Sequence, residues 1–273
     1  MCAKTGSGFL LLIIPLLNSC LNSVFFQPDK KSYQVPKGNY ETVNFRSHGE
    51  TLHAWFIPAK NKAKGTVIQF HGNAQNMSAH YSFVDWLPEQ GYNLFVFDYR
   101  GYGQSTGKPS RIGLYHDSIA ALNYLKSRKD IDSKNIFVIA QSLGAAFAIN
   151  AIGRNDFDGI RGIVLDSPFY SFTSIVRSKL GLFLKLITFP VFPLFVTPGL
   201  SSASAIKEIK TPILFIHGTQ DRVIPIRQAI ALYAQANNPK QFISVKNGSH
   251  CSALGRFKST YGSEILKFFD AQD

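Results

Sequence analysis

Cysteine is scarce in this chain of 273 residues: only Cys2, Cys20 and Cys251 occur. If Cys2 is removed with a leader and Cys20 is modified, as argued below, Cys251 stands alone, which excludes an intramolecular disulfide. Charge is sparse too, at 17% of residues, and acidic side chains are the rarer sign, 17 against 29 basic, for a formal net charge of +12. The cations are scattered (Lys30, Lys31, Lys60, Lys62, Lys64, Arg128, Lys129, Lys207, Lys210) rather than gathered into a stripe. They read as a solvated basic surface or as attraction to an anionic membrane or envelope surface. No recognition motif accompanies them, which argues against nucleic acid. His48, His53, His80 and His116 lack partners at metal-ligand spacing, so neither a metal nor another cofactor is expected. Internal repeats are absent. Apolar residues, by contrast, make up 45% of the chain, and that content at this length suits one large domain.

The N-terminus has a signature of its own. Lys4 is followed by an apolar run from Phe9 to Leu17, too short to span a bilayer. The run ends Leu17-Asn18-Ser19-Cys20, which resembles the lipobox of bacterial lipoproteins. The resemblance implies a signal peptide over residues 1–19, cleavage before Cys20, lipidation of Cys20, and a membrane-anchored protein of the bacterial envelope facing the periplasm or cell exterior. An ordinary signal peptide or an uncleaved anchor is the alternative. Residues 20–38 then read as a tether, polar and carrying Pro28 and Pro36 without periodicity.

From residue 39 the pattern turns globular. Tyr40–Arg46 and Leu52–Ile57 alternate around Ser47-His48-Gly49-Glu50, a β-hairpin signal. Strand-and-helix units follow: Thr66–Phe70 with a helix near Ser78–Glu89, Asn93–Phe97 with Leu114–Lys126, and Ile136–Ala140 with Leu143–Ile152. Further strands are expected at Gly162–Leu165, from Ile213, and at Gln241–Val245, with a last helix at Thr260–Phe269. Such alternation predicts an α/β fold, a mostly parallel sheet with helices on both faces. About 169–204 breaks the rhythm with six phenylalanines, and Leu180–Leu200 is apolar apart from Lys185, Pro190, Pro193 and Pro198. Three prolines and a lysine argue against a clean transmembrane span. A cap inserted over the active site fits the segment, with a pair of core helices as the alternative.

Chemistry enters at Ile136–Gly144. A β-branched and aromatic run stops at Ala140-Gln141-Ser142-Leu143-Gly144, and a small-residue helix pattern follows. Strand, Ser between small residues, then helix is the context of a nucleophile elbow, although Ala140 stands where Gly is usual. Ile213–Ile216 leads into His217-Gly218-Thr219-Gln220-Asp221, and Gln241–Val245 into Asn247-Gly248-Ser249-His250. Ser142, Asp221 and His250 thus each follow a strand's carboxyl end, where open α/β sheets bind their ligands.

Together with His71-Gly72-Asn73-Ala74 and Phe97–Gly107, these motifs resemble the α/β-hydrolase superfamily. The likeness is to the branch of serine aminopeptidase-like hydrolases, monoacylglycerol lipases and acyl-protein depalmitoylases, and it covers about Tyr40 to Phe269. It implies Ser142 as nucleophile, His250 as general base and Asp221 as the carboxylate that orients it. It also implies an oxyanion hole from the N–H groups of Asn73 and Leu143, with His71, Asp98 and Arg100 bracing the oxyanion loop and His217 structural. Cys251 reads as a bystander beside His250. The expected activity is a serine ester or thioester hydrolase whose apolar cap selects hydrophobic acyl substrates. An aminopeptidase-type peptidase or an acyltransferase is the second reading, and a non-catalytic envelope-binding lipoprotein the third. Epoxide hydrolase and dehalogenase chemistry is disfavoured, because that branch needs an acid at position 142.

Overall fold

The computed structural model describes residues 25–179 and 199–272. Within them the strands are β1 (Gln27–Pro28), β2 (Glu41–Ser47), β3 (Glu50–Ile57), β4 (Gly65–Phe70), β5 (Ala74–Gln75), β6 (Tyr92–Phe97), β7 (Ile136–Gln141), β8 (Ile160–Asp166), β9 (Ile213–Gly218) and β10 (Lys240–Val245). The helices are α1 (Met77–His80), α2 (Arg111–Ser127), α3 (Leu143–Gly153), α4 (Phe172–Lys179), α5 (Ser202–Ala205), α6 (Arg227–Gln235) and α7 (Lys258–Asp270).

Eight strands form one sheet in the order β10-β9-β8-β7-β4-β6-β3-β2, in which only β3 runs against the others. The central strands β4, β6 and β7 are buried at every residue, which is why they read as continuous apolar runs rather than alternating ones. The alternation survives in which core each side chain enters. Ile68, Phe95, Val138 and Ala140 join one cluster with Leu122 of α2 and Phe147 of α3. Val67, Leu94, Phe137 and Ile139 join the other with Ile265 and Phe269 of α7. The sheet is therefore covered on both faces.

From β4 the chain moves to β6 on one side, then crosses to β7 on the other and continues outward to β10. The order reverses at β4 and β7, and the carboxyl ends of strands at such a switch point are where open α/β sheets place their ligands. The loop after β4 and residue Ser142 after β7 face each other there.

Two local expectations fail. Ser78–Glu89 is not one helix: α1 gives way to 3₁₀ turns at Tyr81–Phe83 and Pro88–Gln90. Tyr81, Val84 and Leu87 are the buried apolar side chains here, and a spacing of three matches the 3₁₀ repeat rather than the α repeat. Gly91, left-handed at φ 88°, ends the second turn. The tether reading also fails from Phe25 onward. Phe26 is 2% exposed and packs into the core, while β1 pairs in parallel with β5. The expected leader, Cys20 and the centre of the expected cap, 180–198, lie outside the described residues. Among the described residues, no helix is long and apolar enough to cross a membrane.

Candidate active site

Ser142 sits between β7 and α3 at φ 52°, ψ −112°, a left-handed backbone that a non-glycine residue adopts only when its surroundings impose it. Its own N–H, bonded to Asp166 O at 2.9 Å, helps to hold it. Gly144 shows why the elbow needs a small residue on its helical side. A Cβ there would overlap the backbone carbonyls of Phe70 and His71, so the missing side chain lets the α3 N-terminus close on the end of β4. Leu143, the first residue of α3, thereby comes beside the His71–Asn73 loop, at a helix start whose N-cap, Ser142, makes no side-chain cap bond. Ala140 is fully buried in the ladder and fills the place of the more usual glycine without disturbing register.

His250 Nε2 lies 2.9 Å from Ser142 Oγ, and His250 Nδ1 lies 2.7 Å from Asp221 Oδ2. The two loops that carry this relay are stitched together. Thr219 N–H donates to Val245 O, Gln220 N–H to Gly248 O and Asn247 N–H to Thr219 Oγ1. Gly218 permits the approach, since a Cβ there would strike the Gly248 carbonyl. The other oxygen of Asp221 accepts the N–H groups of Val223 and Ile224, each at 2.8 Å. Burial opposes the charge on Asp221, but hydrogen bonds from His217, His250 and the Ile224 N–H outweigh it and hold the carboxyl well below the usual carboxylate range. A fixed carboxylate, an imidazole and a hydroxyl in line can draw the serine proton onto His250 as the oxygen attacks.

A family model described as serine aminopeptidase, S33, matches residues 61–201, just over half of the chain. The chain belongs to this family of α/β-hydrolases. The Salmonella typhimurium protein YfhR is 37% identical to the hydrolase over 282 aligned residues, 96% of this chain and 94% of YfhR. The Arabidopsis thaliana α/β-hydrolase domain-containing protein WAV2 is 32% identical over 88% of this chain and 83% of its own. A Pyrococcus furiosus esterase, Pf2001, shares the fold at a TM-score of 0.74 and 24% identity, over 90% of this chain and 99% of the esterase.

Of the residues expected to brace the site, the structure reassigns Arg100 alone. His217 is fully buried, with Nε2 at 2.9 Å from Ile224 O and 3.3 Å from Asp221 Oδ2, so it supports Asp221 directly. Asp98 accepts the Met77 N–H at 2.7 Å and lies 3.6 Å from His71 Nε2; both brace the loop that follows β4. Arg100 does not. Its guanidinium turns to Asp117 in α2, 2.7 Å away, and to Ser47 Oγ at the end of β2. A lone Asp inside a helix pattern carries no local sign that it will meet an arginine across the fold, and Asp117 escaped the sequence reading.

The sequence also left a buried polar chain beneath the site unread. Gln69 Nε2 donates to Gln141 Oε1 and Gln141 Nε2 to Asp166 Oδ2, while Ser167 Oγ donates to Asp166 Oδ1 and accepts the Cys251 N–H. Ser167 and Cys251, at φ 55° and 52°, hold the His250 loop from below. Burial, then the Asp166 charge, push the Cys251 thiol well above its ordinary range, as befits a bystander. The one available signal was Asp166-Ser167-Pro168, which ends β8 abruptly.

Burial pushes the Asp98 carboxyl up to about 7 despite the Met77 N–H. In the unfolded chain it would titrate near 3.8, so the folded protein keeps a proton that the unfolded chain releases across that interval. The group therefore stabilises the fold most at low pH and loses that contribution as pH rises through 7. Asp98→Asn should remove the dependence. Relative to the variant, wild type is expected to lose up to about 1.4 kcal/mol per pH unit across the window. Urea midpoints across it provide the check, and curves that run parallel reject the assignment.

Proposed function

We propose that the protein is a serine hydrolase acting on carboxylic esters or thioesters of hydrophobic acyl groups. The Asp221–His250–Ser142 relay, with both links within hydrogen-bond distance, is the observation that carries this reading. Ser142 Oγ attacks the acyl carbonyl while its proton passes to His250. The N–H groups of Leu143 and Asn73 face the oxyanion. His250 then returns the proton to the leaving group, and a water hydrolyses the acyl-enzyme by the same route.

Apolar surface at the base of the cap favours acyl over aminoacyl substrates. Phe172 packs on Phe147, Phe169 and Phe25 at centroid distances of 5.2–5.7 Å. A peptidase that grips a free α-ammonium needs a carboxylate at the mouth. Asp166 and Asp221, the carboxylates of the triad's own hydrogen-bond network, are both buried and occupied. Burying each acyl methylene contributes about 0.8 kcal/mol, so kcat/KM should rise up to about fourfold per methylene from acetyl toward medium-chain esters. A protein that prefers acetyl esters, or cleaves aminoacyl amides faster, overturns this in favour of the peptidase reading.

Lipidation at Cys20 belongs to the same proposal. Phe25 lies five positions beyond Cys20, a reach of at most about 18 Å, so an anchor there would keep the site near the membrane that holds the substrate. Cys20→Ala should lose fatty-acid labelling and leave the membrane fraction; retention without label sinks the anchor.

A further inference from the structure

The loop that carries Asn73 is held on its outer side by the chain's own N-terminal segment. The Asn73 side chain makes three bonds, two of them to that segment: Nδ2 donates to Phe25 O at 2.6 Å, and Oδ1 accepts the Gln27 N–H at 3.2 Å and the Tyr102 hydroxyl at 3.0 Å. Gln27 and Pro28 pair in parallel with Ala74 and Gln75, and Asp29 N–H continues the ladder to Gln75 O. Gln75 stands at φ 67°, a left-handed conformation that strains a non-glycine residue and persists where neighbours impose it. The next residue, Asn76, caps α1 through Oδ1 and spends its Nδ2 on Asp29 Oδ1 and Lys31 O, at 2.8 and 2.7 Å.

The same segment is pinned from its far side. Gly103 N–H donates to Asp29 O, Lys30 Nζ to Ser105 O, and Tyr33 N–H to Ser78 Oγ. Phe26 is buried in the core and Phe25 rests on Phe172. A free tether would satisfy its polar groups with water; these groups are instead bonded to residues 73–78 and to Gly103 and Ser105.

We propose that Phe25–Lys31 is a positioning strap for the oxyanion loop: it sets the place of the Asn73 N–H by clamping the Asn73 and Asn76 side chains. The hydrogen bonds of the strap reach the loop and not the acyl group. It acts through the loop, so it governs the rate of acyl transfer rather than the affinity for the acyl group. This rests on the proposed function only in taking the Asn73 N–H as an oxyanion donor.

The test uses the full-length protein. Gln27→Pro deletes the N–H that Asn73 Oδ1 accepts, whereas Gln27→Ala keeps it and alters only an exposed side chain. Asn73→Ala keeps the backbone donor and removes the clamp. An oxyanion donor that is lost outright lowers kcat about 10²–10³-fold, and one merely displaced should lower it less. Gln27→Pro and Asn73→Ala are therefore expected to reduce kcat on the best ester by about tenfold, with KM within about twofold and Gln27→Ala close to wild type. Hydrogen–deuterium exchange over residues 71–77 should rise in the first two variants alone. A kcat within about twofold of wild type in both overturns the strap, as does a loss carried by KM. If wild type itself turns over no ester, the proposed function fails, and exchange then decides the strap alone: unchanged protection of 71–77 in Gln27→Pro rejects it.

Discussion

Ser142→Ala is expected to lower kcat on acyl esters by about 10⁵–10⁶-fold, the scale seen when a triad nucleophile is deleted. The loss should be confined to chemistry. Ser142 makes no side-chain cap to α3, and Ala tolerates the elbow backbone no worse than Ser does, so the variant should fold with wild-type stability. A fluorophosphonate probe should label wild type and leave the variant unlabelled; labelling that survives removes Ser142 from its role. His250→Ala should lose about as much, and the double variant little more, because hydroxyl, imidazole and carboxylate act as a unit.

The largest stability effect is expected at Asp117, remote from any reacting atom. Asp117 is fully buried and receives the Arg100 N–H, Nε and Nη2 as well as the Ser47 hydroxyl. Asp117→Ala leaves a guanidinium that is only 12% exposed without its counter-charge, and removing one partner of a buried pair typically destabilises by about 3–5 kcal/mol. For a domain of this size that corresponds to a fall in Tm of roughly 10 °C. Exchanging both residues for apolar ones, Arg100→Met with Asp117→Leu, should recover most of it, since no unpaired charge remains. A single-variant loss below about 1 kcal/mol rejects the pair as a structural anchor. Exposed pairs such as Lys60–Glu89, with side chains 66% and 57% exposed, contribute little by comparison.

Much of the site was legible because its signals are local. Strand β7 declares itself by four β-branched and aromatic residues and stops at small ones, so the elbow and Ser142 follow within a few positions. Asp221 and His250 were found the same way, each in the loop just past a strand. The helix at Ser78–Glu89 was misread because apolar residues three apart satisfy both the 3₁₀ and the α repeat in part, and packing under the sheet chose between them.

Sequence alone determined the α/β order of elements, the chain order Ser142, Asp221, His250, and the need for a small residue at Gly144. Each depends on the conformational preferences of a few consecutive residues, which the chain carries with it before folding. Only the tertiary structure decided that Arg100 belongs to Asp117 rather than to the loop after β4, that Gln141, Asp166 and Ser167 underpin His250, and that Phe25–Lys31 packs on that loop rather than running free as a tether. A polar side chain's nearest partner is set by which strands become neighbours, and β4, β7 and β8 meet only once the sheet order is complete. An apolar period is written along the chain; a hydrogen bond between residues 25 and 73 is written only in space.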